Sequence, residues 1–160
     1  MGDLSEFKTT TRLFLKSYPW RRIDPVPWTQ LGKPLSECRL TLISSAGFVL
    51  PDQEPFDRFI PGGDVSFREI PSDINVSELT DCHKSKSYDH SGLRRDPNVA
   101  FPIDRVRELV ESGRIGSLNH RYLSFMGVIT APGRLIHRTA PEAAKWLADD
   151  GVDIAILVPV

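Results

Sequence analysis

Apolar positions in this chain gather into short runs with two different spacings, and each spacing predicts a different element. Arg39-Leu-Thr-Leu-Ile-Ser44 is rich in apolar and β-branched residues, the composition of a strand. Ser45-Ala-Gly47 then turns it into a second short apolar piece, Phe48-Val-Leu50. Ile103, Val106, Leu109 and Val110 fall on one face at helical spacing. Pro102 suits the first turn, Asp104 complements the positive end, and Gly113 stands at the stop, which predicts a helix from Pro102 to about Ser112. A strand is expected at about Tyr122–Thr130. Thr139-Ala-Pro-Glu142 has the pattern of a capping box, and Ala143, Trp146 and Leu147 supply the apolar stripe of a second helix. Gly151 ends that helix. The run Ile154-Ala-Ile-Leu-Val158 reads as a fully buried strand, with Ile154, Ile156, Leu157 and Val158 in the core near the sheet centre. Strand, helix and strand make a βαβ unit at the C-terminus. The fold class that follows is α/β, three-layered, with a mostly parallel sheet.

Between these periodic segments lies a long, polar, poorly periodic stretch, roughly 51–101. It is expected to be a loop, and loops of this length tend to be functional. Residues 1–37 read as an extended N-terminal arm. In Tyr18-Pro-Trp20-Arg-Arg-Ile-Asp-Pro-Val-Pro-Trp28 the prolines oppose a continuous helix, and Trp20 and Trp28 are expected to pack on the body. Residues 38–160 form a single α/β domain. In open α/β sheets, reactive groups sit just beyond the carboxyl ends of the strands. The last strand is followed by no covering helix, so the domain is expected to be incomplete at its C-terminus, with the chemistry carried at position 161.

Composition narrows the classes. Of 160 residues, 40% are hydrophobic and 26% charged, as in a globular chain, and the net charge of −1 gives no general attraction to nucleic acid or anionic lipid. No apolar stretch approaches the ~20 residues a membrane helix needs, and the acidic N-terminus lacks a signal peptide's apolar core, so a cytoplasmic location is expected. Cys38 opens an apolar run and reads as a small core residue. Cys82 adjoins His83, which could activate it, although chance adjacency at the surface is the plainer account. The four histidines lack metal-ligand spacing, so no metal site is expected, and no glycine-rich nucleotide motif occurs.

Candidate chemistry concentrates in the middle stretch. Gly62-Gly63-Asp64 could bring backbone amides close to a substrate carboxylate, or could simply be a turn. Arg68 could pair with that carboxylate bidentately, or form a surface ion pair with Asp64 or Glu69. His83 and His90 flank Tyr88-Asp89. A histidine here could donate a proton to a leaving amine with Asp89 orienting it, against a solvated or structural use. Lys84, Lys86, Arg94 and Arg95 add positive charge that could draw in an anionic substrate or partner, or merely keep the loop solvated. His120 and His137 have no evident partner.

Several segments together resemble the selenoprotein B type subunits of glycine, sarcosine, betaine and D-proline reductases. They run from Pro34-Leu35 through Leu42-Ile-Ser-Ser-Ala-Gly47 and Pro61-Gly-Gly-Asp-Val-Ser-Phe-Arg-Glu-Ile-Pro71, then His83 and Tyr88-Asp89. Asp96-Pro-Asn-Val-Ala-Phe-Pro-Ile-Asp-Arg105, Glu108-Leu, Gly113-Arg-Ile-Gly116 and the terminal Val152–Val160 complete them. The phrasing resembles the D-proline reductase branch more than the glycine reductase branch. The resemblance implies an oxidoreductase subunit that cleaves a C–N bond of D-proline, glycine or an N-methylated glycine. It implies a selenocysteine or cysteine directly after the segment like Leu157-Val-Pro-Val160, a motif absent here, so this chain by itself is expected to be inactive. A chain stopped at a UGA codon misread as a stop would look like this one. The resemblance further implies other reductase subunits as partners, an oligomeric assembly, a dithiol or thioredoxin-like reductant, and, in the D-proline enzyme, a pyruvoyl group on a partner subunit. The competing readings are a catalytically silent α/β binding or assembly module, and a cofactor-independent α/β enzyme such as a racemase using Cys82.

Overall fold

The computed structural model describes residues 4–19, 22–85, 88 and 90–160. The chain divides into two compact units, Met1–Gln30 and Leu31–Val160. The first holds a short 3-10 turn at Leu4–Glu6 and a helix, α1 (Thr9–Ser17), with the Phe14 and Tyr18 rings 5.7 Å apart. The helix falls in a stretch expected to be irregular, because the prolines that argue against helix all lie after it. Trp28 leaves its side chain 80% exposed, and Trp20 lies outside the described residues.

The second unit is built on β1 (Arg39–Ser44). On one side β1 pairs in parallel with β5 (Ser117–Leu118) through its first half and with β6 (Arg121–Phe125) through its second. On the other side it pairs along its length with β7 (Ile154–Val158), also in parallel. The antiparallel β3 (Phe67–Pro71) lies beyond β6, while β2 (Phe48–Val49) and β4 (Thr80–Asp81) form a separate ribbon. The expected α/β class and mostly parallel sheet are therefore present. The middle stretch contains β3, β4 and the short helix α2 (His90–Arg95), so it is less of a loop than its weak periodicity suggests.

Side-chain alternation divides the core into two layers. Leu40, Leu42, Ile70, Tyr122 and the partly buried Ile154 and Ile156 share one cluster with Ile103 and Val106 of α3 (Ile103–Glu111). Leu123, Ile43 and Phe125 share another with Ala143 and Leu147 of α4 (Ala140–Asp149). Helices thus cover both faces. Gly113 and Gly151 take positive φ where α3 and α4 stop, as their positions in the sequence predict.

Two expectations are corrected. Among the described residues β7 pairs with β1 alone, at the edge of the sheet they form rather than at its centre, and Leu157 is 69% exposed. An apolar run shows that a strand has two apolar faces, not that both are covered. Thr139 does not cap a helix either. It has helical dihedrals, makes no capping bond, and ends a π-turn, Leu135–Thr139, that runs on into α4. Pro141 has no N–H to give to the carbonyl four residues back, and its ring crowds that carbonyl, which a wider turn relieves. The Ala140 N–H goes instead to Leu135 O, opening the wider turn. No helix among the described residues is long and apolar enough to cross a membrane.

Candidate active site at the strand ends

The carboxyl ends of β1 and β7 are joined by Ser45. Its N–H donates to Val158 O at 3.1 Å, and its hydroxyl oxygen accepts from the Val160 N–H at 2.9 Å. Ser44 Oγ donates to Ala100 O at 2.6 Å and accepts the Ala46 N–H, drawing the 97–100 turn onto the same edge. Gly47 N–H donates to Phe125 O at 2.9 Å, and Gly47 O accepts the Cys82 N–H at 3.1 Å, which delivers the next residue, His83, to the strand ends. Gly47 has φ +70, and a β-carbon there would stand 3.3 Å from the His83 nitrogen. The segment leaving β6 is strained: Val128 takes a φ of 58°, rare for a β-branched residue.

His83 is 4% exposed. Its N–H donates to Asp81 Oδ1 at 2.9 Å, and its Nδ1 accepts the Ser85 N–H at 3.3 Å. An accepting Nδ1 places the ring proton of the neutral imidazole on Nε2. That Nε2 is buried with no partner among the described residues. Burial lowers the His83 pKa, with His90 and Lys84 lowering it further and Asp81 opposing them, so the ring is neutral at pH 7. Tyr88 lies over it with ring centroids 4.4 Å apart, and His90 meets Tyr88 edge-on at 5.1 Å. The Tyr88 hydroxyl is also buried and has no partner among the described residues, and burial pushes its pKa up to about 12. His90 Nδ1 bonds to Asp81 Oδ2, and this bond raises the His90 pKa against some desolvation.

Asp89, expected to orient a histidine, lies outside the described residues. The carboxylate that meets both histidines is Asp81. Gly62, Gly63, Asp64 and Arg68 gather in a second place. Asp64 is buried and accepts from the Asp57 N–H, the Ser66 N–H and the Ser66 hydroxyl at 2.6–2.9 Å. Burial alone would raise its pKa, but those donors and Arg68 hold it below the usual carboxylate range. Arg68 donates to Glu54 O, Ser66 Oγ and Phe67 O and stacks over the Phe56 ring at 4.4 Å, so its guanidinium is occupied by its own loop. Gly62 and Gly63 take positive φ, and a β-carbon on Gly63 would stand 2.9 Å from Ile129 Cα. Their freedom lets this turn sit against the 129–131 segment.

Cys82 is 7% exposed, packs with Val49, Phe56 and Met126, and burial raises its pKa, the opposite of nucleophile activation. Cys38 is fully buried, as its place in the sequence predicts. His120 and His137 are exposed, and no cluster of His, Cys, Asp or Glu among the described residues is arranged to hold a metal. Sequence reasoning missed Ser45, Asp81 and Gly127. Ser45 reads as part of a turn and Gly127 is hidden inside a strand expected to run to Thr130, whereas β6 ends at Phe125. Beside the polar corner, a groove of about 650 Å³ lined by Ile43, Ala144, Leu147, Ala155 and Leu157 runs between β7 and α4.

The architecture and its strand-end cluster define an α/β protein whose buried polar groups converge where parallel strands finish, the usual place for a site in such sheets. The chain belongs to the glycine/sarcosine/betaine reductase selenoprotein B family, whose model matches residues 6–160. It is similar to the D-proline reductase subunit gamma of Acetoanaerobium sticklandii, with 34% identity over 158 residues, 98% of this chain and 61% of the relative. It is also similar to the sarcosine reductase complex component B subunit beta of Peptoclostridium acidaminophilum, with 27% identity over 97% of this chain and 35% of the relative. The glycine reductase complex component B subunit gamma of Carboxydothermus hydrogenoformans is 29% identical over 90% of this chain and 33% of the relative. The chain therefore spans about three-fifths of the first relative and about a third of the other two. No solved structure matches.

Proposed function

We propose that this chain supplies the strand-end platform of a selenol- or thiol-dependent amino-acid reductase subunit, which works with other subunits to cleave a C–N bond of D-proline, glycine or an N-methylated glycine. The observation that carries the reading is the buried Nε2–H of His83, which has no partner among the described residues and lies beside Ser45 and Val160. A neutral imidazole is a poor proton donor to an amine but a good hydrogen-bond donor to an anion, and in a dry corner such a donor is strong. His83 therefore steadies the anionic selenium or sulfur of the reducing group.

The reaction balances as a two-electron reduction. The selenolate or thiolate attacks the carbon, the C–N electrons leave on nitrogen, and the nitrogen takes a proton from the reducing dithiol. A second thiolate then attacks the selenium or sulfur, and the released carbon takes a proton. The reducing pair ends as a selenenylsulfide or disulfide. The test is dithiol-dependent reduction of D-proline, glycine, sarcosine and betaine by the assembled reductase carrying this subunit. His83→Gln is expected to lower kcat by about 10²–10³, the loss typical of one anion-stabilising donor. An unchanged rate removes His83 from the chemistry, and an assembled wild-type complex that reduces none of the four overturns the reductase reading.

The groove beside α4 favours a second reading, an assembly module without chemistry of its own. Incorporation into a complex that reduces substrate equally well with and without His83 would select it.

A further inference from the structure

The two histidines are bound to each other through two shared residues, each of which touches both. Asp81 accepts the backbone N–H of His83 on Oδ1 and His90 Nδ1 on Oδ2. Ser85 donates its N–H to His83 Nδ1 and accepts His90 Nε2 on its carbonyl, both at 3.3 Å. The result is a closed ring of four residues around the Tyr88 aromatic face. Both nitrogens of His90 face acceptors, so the ring is complete only when His90 carries two N–H protons. Its Asp81 contact then orients the carboxylate, and its Ser85 contact holds the carbonyl of the residue whose N–H donates to His83.

We propose that Asp81, Ser85 and His90 form a positioning clamp that fixes His83 in its Nε2–H tautomer and presents that proton at the carboxyl ends of β1 and β7. The inference rests on the reading of His83 given above but concerns its tautomer, not turnover. His90 is a positioning residue: it reaches the strand ends only through Asp81 and Ser85. Among the described residues, the charged and titratable groups around the pair are Asp81, Lys84, Tyr88 and Arg94. Asp81 favours the doubly protonated His90 and Arg94 opposes it, so the clamp opens as pH rises through the deprotonation of His90.

Nitrogen-15 NMR of histidine-labelled chain, which reports tautomer and protonation directly and needs no enzyme activity, is the test. Where His83 is already neutral and His90 still doubly protonated, His83 is expected to carry its proton on Nε2. His90→Ala should lower its tautomer ratio about fivefold, the ratio that one net hydrogen bond sustains. In the unmodified chain, the His83 Nδ1 resonance should move in step with the deprotonation of His90. An Nδ1–H tautomer, or a His83 signal indifferent to the titration of His90, overturns the clamp whether or not the variant folds. A confirmed clamp together with an active His83→Gln reductase would separate failure of the function from failure of this inference.

Discussion

The imidazole of His83 rests directly against Gly127: a β-carbon on Gly127 would stand 2.6 Å from His83 Nε2, 3.1 Å from Ser45 O and 3.3 Å from Val160 O. Two of the three neighbours are backbone, so the added carbon cannot be relieved by a side-chain rotation alone. The glycine is required by the histidine's position rather than by its own backbone conformation.

Gly127→Ala is accordingly expected to destabilise the chain by about 1–3 kcal/mol, the usual range for overpacking. For a domain of this size that corresponds to a fall in Tm of roughly 2–12 °C. In the double variant Gly127→Ala with His83→Ala, part of the loss should be recovered, because the two side chains compete for one space. Strictly additive losses in thermal unfolding would show that the two residues do not press on each other.

At the opposite end of β6, Arg121 donates to Asp150 Oδ1 and Oδ2 at 2.6 and 2.7 Å, and Asn119 adds a third donor at 2.9 Å. The Arg121 hydrogen bonds hold the Asp150 carboxyl down at about 2, against desolvation and with help from Asn119. A folded-state pKa below the unfolded ~3.9 gives stability that is present above pH ~4 and is lost as pH falls through about 2. Asp150→Asn should cost about 2 kcal/mol at pH 7, the worth of hydrogen bonds to a charged group, and the gap should close toward pH 2. Urea unfolding at pH 7, 4 and 2 measures it. An equal gap at all three would assign the effect to packing.

Both cysteines are buried, and burial keeps the Cys82 thiol protonated at neutral pH. Neither should react with a disulfide reagent under native conditions at a rate approaching that of the unfolded chain, and the chain by itself should not reduce D-proline, glycine, sarcosine or betaine. Prompt native labelling of one thiol, with turnover abolished by Cys82→Ser, would move the chemistry to Cys82.

Leu157 exposes most of its side chain into the groove beside α4. An environment-sensitive apolar dye is expected to bind the native chain below its thermal transition, and Leu157→Lys should reduce that signal with little change in Tm. Loss of several degrees without loss of dye binding would mean that Leu157 is packed, not presented.

Much of the sheet was legible because its elements carry strong local signals: the apolar and β-branched residues of β1, the stripe of α3, and the stop glycines Gly113 and Gly151. Pairing partners were not, since the apolar run of β7 reads the same at an edge as at the centre. The polar corner was half legible. His83 stood out by its chemistry, but Asp81 and Ser85 act through distances that no spacing reveals. Gly62, Gly63, Asp64 and Arg68, read from the sequence as candidates for holding a substrate carboxylate, lie in one loop whose hydrogen bonds run among its own residues, a use that the same residue types serve equally well.

The π-turn before α4 sets the rotational phase of everything after it. One residue on an α-helix is worth about 100° of rotation. Deleting any one of Leu135–Thr139 would tighten the turn and swing Trp146 off the edge of Phe67 and from under the Arg121 guanidinium, 5.1 and 4.8 Å away. Ala143 and Leu147 would turn off the sheet with it. Insertions and deletions in that stretch therefore act as changes of angle, not of length, and the spacing from Pro141 back to Leu135 is as much a part of the fold as any buried side chain.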